Sequence, residues 1–152
     1  MVGSPFYIMR YVDGEVIRTK LPQQYVDSPQ TQPAIGESLI DALVELHAFD
    51  WRNSSLVDLA KPDNFLPRQV ERWMTQLATY RNRNMGGVDQ VAQWLADHLP
   101  PSGDLTVMHG DYKIDNTMYS KSLPPSVLTI VDFEMTTVGD PLIDLAWAMI
   151  FW

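Results

Sequence analysis

Three polar residues in the last third of the chain have types and spacing suited to phosphoryl transfer. Asp111 comes shortly after the apolar run 105–108, Asn116 stands five positions further on, and Asp132 follows the β-branched run 127–131. Each is expected at or beside the end of a strand, so that loops gather the three side chains. Phosphoryl transfer needs a carboxylate near the attacking hydroxyl and oxygen ligands for a Mg²⁺ ion that bridges nucleotide phosphates. These residues can supply those parts.

Neighbouring polar residues have simpler structural explanations. Asp111 taken alone could be a turn-capping carboxylate. His109 would end a buried strand, where a histidine is more often a hydrogen-bonded scaffold residue than a base. Asp144 would be buried in the last helix and needs amide partners, so we expect it to brace the backbone of the catalytic loop. Asp140 precedes a proline and is expected to cap that helix, and His47 is expected to be a packing or surface residue.

Hydrophobic periodicity predicts the elements that hold these residues. Helical spacing dominates the middle of the chain, and short β-branched or aromatic runs occur at both ends. Glycine and proline pairs interrupt the patterns. In chain order we predict a strand over 6–12, a short strand over 16–18, a loop over 20–33, a helix over 33–47, a loop over 53–67, helices over 67–80 and 88–99, a strand over 105–108, a hairpin of strands 117–119 and 127–131, and a helix from Pro141.

Composition narrows the class of protein. The 152 residues, 45% of them hydrophobic, suffice for one domain or a piece of one. A formal net charge of -8 argues against a nucleic-acid partner, because such binding draws its affinity from Lys and Arg. No apolar run approaches the roughly 20 residues of a membrane helix, so no membrane association is expected. The absence of cysteine and of a signal-peptide pattern favours a cytoplasmic location.

Three segments around the predicted site occur in a characteristic order with characteristic intervals. The run from His109 to Asn116 matches an H-G-D-x-x-x-x-N loop, 130–134 matches a metal-binding segment, and 139–146 matches the segment that follows it. In all three the chain resembles the aminoglycoside phosphotransferase family of small-molecule kinases. Further upstream, 5–14, 46–47 and 68–73 are similar to a branch related to kinase domains fused to acyl-CoA dehydrogenases. The resemblance covers nearly the whole chain.

This resemblance implies roles for the matched polar residues. Asp111 would orient or deprotonate the acceptor hydroxyl. Asn116 and Asp132 would hold Mg²⁺ and ATP, which are therefore the expected cofactors. Lys113 would reach the transferring phosphate as a point charge, although a solvated surface lysine explains it equally well.

The resemblance also implies a nucleotide-binding hinge and a fold. Met9, Arg10 and Val12 would form the hinge, with the backbone of Arg10 and Val12 facing the adenine edge. The expected fold is α+β: a protein-kinase-like C-terminal lobe of the aminoglycoside phosphotransferase type, mostly helical with a small β-hairpin, with the N-terminal lobe missing. Residues 1–18 would be the hinge strand and linker, and residues 19–152 a partial C-terminal lobe.

The sequence also departs from a whole kinase. It contains no Gly-rich phosphate loop, no Walker A motif and no strand carrying an ATP-pairing lysine, so we expect truncation at both ends and weak ATP binding by this chain alone. The predicted function is ATP-dependent transfer of the γ-phosphate to a hydroxyl group of a small molecule, with a hydroxyacyl compound suggested by the branch. One alternative is a non-catalytic kinase-like binding or regulatory module. Another is a metal-dependent phosphoesterase, although the chain lacks the clustered histidines that such sites usually use.

Overall fold

A computed structural model describes residues 7–61, 64–83 and 85–152. Within them, a short strand is followed by four helices, then by four short strands and a last helix, and four short 3₁₀ segments lie in the connections. None of these helices has the length and apolarity needed to cross a membrane. The elements are β1 Glu15–Val16, α1 Gln23–Val26, α2 Thr31–His47, α3 Phe65–Tyr80, α4 Val88–Asp97, β2 Thr106–Met108, β3 Thr117–Tyr119, β4 Val127–Ile130, β5 Thr137–Gly139 and α5 Leu142–Ile150.

The predicted helices are present, and their boundaries differ by a few residues. Helix α2 begins at Thr31 and α3 at Phe65, each two residues before a proline that was expected near the start. Pro33 and Pro67 therefore lie in the first helical turn, where a backbone N–H has no intrahelical partner to lose. The loop predicted over 20–33 is wrong in part, because it contains α1 and the first turn of α2.

The strand predicted over 6–12 is wrong for residues 7–12, and Phe6 lies outside the described residues. The first strand of the structure is β1, which pairs antiparallel with β3. Tyr7, Ile8 and Tyr11 have side chains of the types common in strands, but these side chains are largely exposed and the segment pairs with no strand of the described residues. An isolated extended segment gains no ladder hydrogen bonds, and its residue types alone do not make it a strand.

Two antiparallel pairings bring the two predicted site loops together. The expected hairpin forms, with β3 paired to β4 so that Thr117 lies opposite Ile130. Strand β2 pairs with β5, a strand that sequence patterns did not predict, and Met108 lies opposite Thr137. The loop over 109–116 connects β2 to β3, and the segment over 131–136 connects β4 to β5. Since the flanking strands are paired, these connections must face each other.

A buried apolar cluster joins the loop over 109–116 to two helices. Leu39 and Leu43 of α2 pack with Tyr112 of the loop and Ala148 of α5. The Tyr112 hydroxyl donates a hydrogen bond of 2.5 Å to the carbonyl of Leu39. The loop is thus anchored to the core immediately after Asp111.

Candidate active site

Tight backbone contacts join the two facing connections. The amide of Val131 donates to the carbonyl of Asn116 over 2.9 Å. Gly110 has φ +86°, and a Cβ built on it would lie 2.5 Å from the carbonyl oxygen of Met135. Only glycine combines this left-handed conformation with so close an approach. The residue before Asp111 is therefore held against the segment that carries Asp132.

A buried carboxylate braces the start of the loop over 109–116, as predicted for Asp144. Its side chain is fully buried, and its two oxygens accept the backbone N–H groups of His109 over 2.7 Å and Gly110 over 2.9 Å. His47 also contacts it, with 3.2 Å between Nε2 and Oδ2. His47 is thus a packing residue, as expected, and α2 places its mostly buried ring beside this carboxylate.

The hydrogen bonds of His109 support a scaffold role. Its Nδ1 accepts the backbone N–H of Asp111 over 3.2 Å, so the ring proton lies on Nε2, 2.8 Å from the carbonyl oxygen of Val131. Both ring nitrogens are thus engaged with backbone on the two facing connections. This fully buried ring ties the connections together.

Three donors surround the side chain of Asp111. Oδ2 accepts from the Asn116 amide and from the Lys113 ammonium, each over 2.9 Å, and Oδ1 accepts from the Trp147 indole over 2.6 Å. Burial raises the pKa of Asp111, but the hydrogen bonds from Lys113, Trp147 and Asn116 outweigh burial and hold the pKa below its ordinary value. At neutral pH the carboxylate is ionised, held in place and still about one-fifth exposed.

Asn116 and Asp132 offer oxygen atoms on the two facing connections. The Asn116 amide nitrogen donates to both the carbonyl and Oδ2 of Asp111, and its Oδ1 accepts no hydrogen bond from the described residues. Asp132 is exposed and adopts a left-handed conformation with φ 70°. Such conformations in non-glycine residues are concentrated at functional sites.

Lys113 lies among the carboxylates of the site. The hydrogen bond to Asp111 raises the pKa of Lys113, and the negative charges of Asp115 and Asp132 act in the same direction. The ammonium also lies 5.5 Å from the ring centroid of Phe151. Asp132 is therefore near enough to Lys113 to influence it electrostatically.

The predicted hinge residues line two clefts, one of which also includes Asp132. Met9 and Asp132 share a cleft of about 550 Å³ with the 130–134 segment. Arg10 and Val12 border a second cleft of about 550 Å³, whose opposite wall is Leu128 on β4. The structure thus joins Asp111, Lys113 and Asn116 by direct contacts, and Asp132 shares a cleft with Met9.

Carbonyl and carboxylate oxygens make this site suitable for Mg²⁺. No three His, Cys, Asp or Glu residues within the described ranges form a metal-binding group. Mg²⁺ in nucleotide sites commonly takes one or two protein oxygens and completes its shell with phosphates and water. Asn116 Oδ1 and the exposed Asp132 carboxylate fit that limited demand.

Trp147 was not predicted as part of the site. The signal that could have indicated it is its spacing, because residue 147 lies three positions after Asp144 and so shares its helix face. From sequence alone, however, nothing separates this tryptophan from the other apolar residues of α5.

Curated relatives match along nearly all of the chain. It is 33% identical to acyl-CoA dehydrogenase family member 11 of Gallus gallus, over 100% of this chain and 19% of the relative. It is 30% identical to acyl-CoA dehydrogenase family member 10 of Mus musculus, over 97% of this chain and 14% of the relative. The chain therefore spans less than a fifth of the length of either relative.

Solved structures and a family model are also similar to this chain, and they are phosphotransferases. A candidate aminoglycoside phosphotransferase from Ralstonia eutropha is 31% identical, with a TM-score of 0.80 over 95% of this chain and 44% of that one. Macrolide 2'-phosphotransferase type I is 22% identical, with a TM-score of 0.64 over 93% of this chain and 48% of that one, and supports the fold alone. The model of the phosphotransferase enzyme family, APH, matches residues 2–152. The fold is thus α+β and protein-kinase-like, and the chain belongs to the APH phosphotransferase family.

Proposed function

We propose that this chain carries the catalytic loop of an ATP-dependent kinase that phosphorylates a hydroxyl group of a small molecule. The observation that carries the proposal is the group of contacts around Asp111: Lys113 and Asn116 hold Oδ2 at 2.9 Å, and the Asp132 segment faces them. Membership of a phosphotransferase family supports the same chemistry. A binding module without catalysis would have no need to keep these groups together.

In this proposal each residue has a defined task. Asp111 orients the acceptor hydroxyl and accepts its proton as the hydroxyl oxygen bonds to the γ-phosphorus and the bond to the bridging oxygen of ADP breaks. Asn116 Oδ1 and Asp132 would hold Mg²⁺, which when bound neutralises phosphate charge. Lys113 would leave Asp111 to approach the transferred phosphoryl group as a point charge. Since the pKa of Asp111 is lowered, it acts mainly by orientation rather than as a strong base.

The remaining assignments concern the nucleotide and the acceptor. Met9, Arg10 and Val12 would face the adenine, which the continuity of the Met9 cleft with Asp132 supports. The names of the relatives, acyl-CoA dehydrogenase family members 10 and 11, make a hydroxyacyl compound the first acceptor to test.

Mg²⁺-ATP binding is tested by titrating the ¹⁵N-labelled chain with ATP, with and without Mg²⁺. We expect weak, Mg²⁺-dependent shifts of amide signals at 9–12, 111–116 and 132, and Asp132→Asn should remove the Mg²⁺ dependence. Asp89→Asn, an exposed acid on α4, is the matched control. Shifts confined to other regions would contradict the assigned nucleotide site.

Phosphoryl transfer is tested by ADP release from the chain and from a full-length relative. A hydroxyacyl compound should stimulate ADP release, and the same acyl compound without its hydroxyl should not. Asp111→Asn should lower the rate by about 10²-fold or more, because it removes the carboxylate that orients the acceptor hydroxyl and takes its proton. Equal rates in the variant and the parent protein would rule out the role of Asp111, and Mg²⁺-ATP binding without transfer to any hydroxyl compound would favour the non-catalytic module.

A further inference from the structure

One face of α5 contacts three consecutive residues of the catalytic loop. Asp144 accepts the backbone N–H groups of His109 and Gly110, and Trp147 donates its indole N–H to Oδ1 of Asp111 over 2.6 Å. Residues three apart in a helix lie on the same face, so the two side chains present adjacent groups to adjacent loop residues. The helix therefore holds both the main chain before Asp111 and the Asp111 side chain.

The orientation of α5 is fixed by burial on that face. Asp144 is fully buried, and Ala148, one turn later, is 5% exposed in the cluster with Tyr112. Trp147 lies between them and is itself 37% exposed. Phe151 packs edge-on against the indole, with 5.3 Å between ring centroids and 60° between ring planes. A small rotation of the helix would break these contacts, so the direction of the indole N–H is well determined.

The contact to Oδ1 restrains the oxygen that the other two donors do not bind. Asn116 and Lys113 both bind Oδ2, and turning the carboxylate about its Cβ–Cγ bond, a broad torsion in aspartate, would move both oxygens. A donor at Oδ1 therefore resists the same rotation from the other oxygen. Each carboxylate oxygen can accept two hydrogen bonds, so Oδ1 keeps one position for another donor.

We propose that Trp147 is a positioning residue for phosphoryl transfer, whose indole N–H holds Oδ1 of the Asp111 carboxylate in the orientation that receives the acceptor hydroxyl. The catalytic consequence rests on the proposed function of Asp111. The contact itself can be tested without turnover.

The contact test uses the indole N–H signals of the five tryptophans in ¹⁵N–¹H spectra. Trp147→Phe identifies the Trp147 signal by its loss. Asp111→Ala removes the acceptor, so this signal should move upfield in the proton dimension and exchange faster with water. Asp111→Asn keeps an oxygen acceptor and should move it less, which preserves the test if the alanine variant does not fold.

Asp115→Ala is the control, because it removes one negative charge from the same loop and its side chain makes no hydrogen bond to Trp147. The Trp147 signal should stay in place in this variant. An unmoved signal in both Asp111 variants, or an equal movement in Asp115→Ala, would overturn the inference.

The kinetic test measures ADP release in Trp147→Phe, which keeps an aromatic ring and removes the donor. We expect kcat to fall roughly 10-fold to 100-fold, the range for losing one charge-assisted hydrogen bond, with the KM for ATP unchanged. Trp94→Phe is the control, since Trp94 of α4 stacks on His98, just after that helix, with 4.4 Å between ring centroids, and the variant should retain the parent kcat.

The outcomes separate this inference from the proposed function. If Trp147→Phe lowers only the folded fraction and each folded molecule keeps the parent kcat, Trp147 is a packing residue and the inference fails. If the parent protein transfers phosphate to no hydroxyl compound, the proposed function fails, and the spectra alone decide whether Trp147 holds Asp111.

Discussion

Asp144→Asn should destabilise the protein more strongly than its conservative chemistry suggests. The carboxylate is fully buried and accepts two backbone N–H groups of consecutive residues, His109 and Gly110. Asparagine is nearly isosteric, but it offers one oxygen acceptor and one amide donor. One of the two backbone N–H groups would then face a second donor in a site closed to water.

The expected loss follows from those two contacts. A hydrogen bond to a charged group contributes about 1.5–3 kcal/mol, and an unsatisfied buried donor costs about 1–3 kcal/mol. We therefore expect Asp144→Asn to lower the free energy of unfolding by about 3 kcal/mol. With an m-value of about 2 kcal/mol/M, the urea midpoint falls by about 1.5 M. The corresponding fall in Tm for a chain of this length is about 6–12 °C.

Urea unfolding followed by tryptophan fluorescence measures this loss. Asp41→Asn is the matched control, because Asp41 is an exposed residue of α2 and its substitution should stay within about 0.5 kcal/mol of the parent. If Asp144→Asn unfolds at the same urea concentration as the control, the carboxylate does not brace the loop and our account of the site is wrong.

Two further predictions concern other buried features. Gly110→Ala should lower the free energy of unfolding by about 2 kcal/mol or more, because φ is +86° and the new Cβ would meet the Met135 carbonyl. Urea unfolding measures this loss. Gly103→Ala is the control, because Gly103 has open space around it and its substitution should be nearly neutral. Burial raises the pKa of Tyr119 from 10.0 to about 12, so its contribution to stability is complete below pH 10 and is lost as the pH rises towards 12. Between pH 10 and 12 the urea midpoint of the parent protein should therefore fall by more than the midpoint of Tyr119→Phe, which has no hydroxyl to ionise. An equal fall in both proteins would contradict the stated burial effect.

Local patterns in the sequence were sufficient to predict much of the site. The five-residue interval from Asp111 to Asn116, the hairpin after it and the capping position of Asp140 are short-range features. Such features depend on neighbours a few residues away, and periodicity and turn chemistry report them directly. Asp140 indeed accepts the backbone N–H of Leu142 over 3.0 Å. The bracing role of Asp144 also followed, because a buried carboxylate requires donors.

Long-range contacts decided the rest. Residues 7–12 have strand-like composition, yet they form no strand, because a strand exists only where a partner supplies its hydrogen bonds. Pairing of β2 with β5, and the approach of Trp147 to Asp111 across 36 positions, depend on how distant elements pack. The amino-acid sequence by itself therefore indicated which side chains could take part in phosphoryl transfer. Only the packed structure determined which oxygen of Asp111 each donor holds, since that depends on the direction in which a buried helix face points.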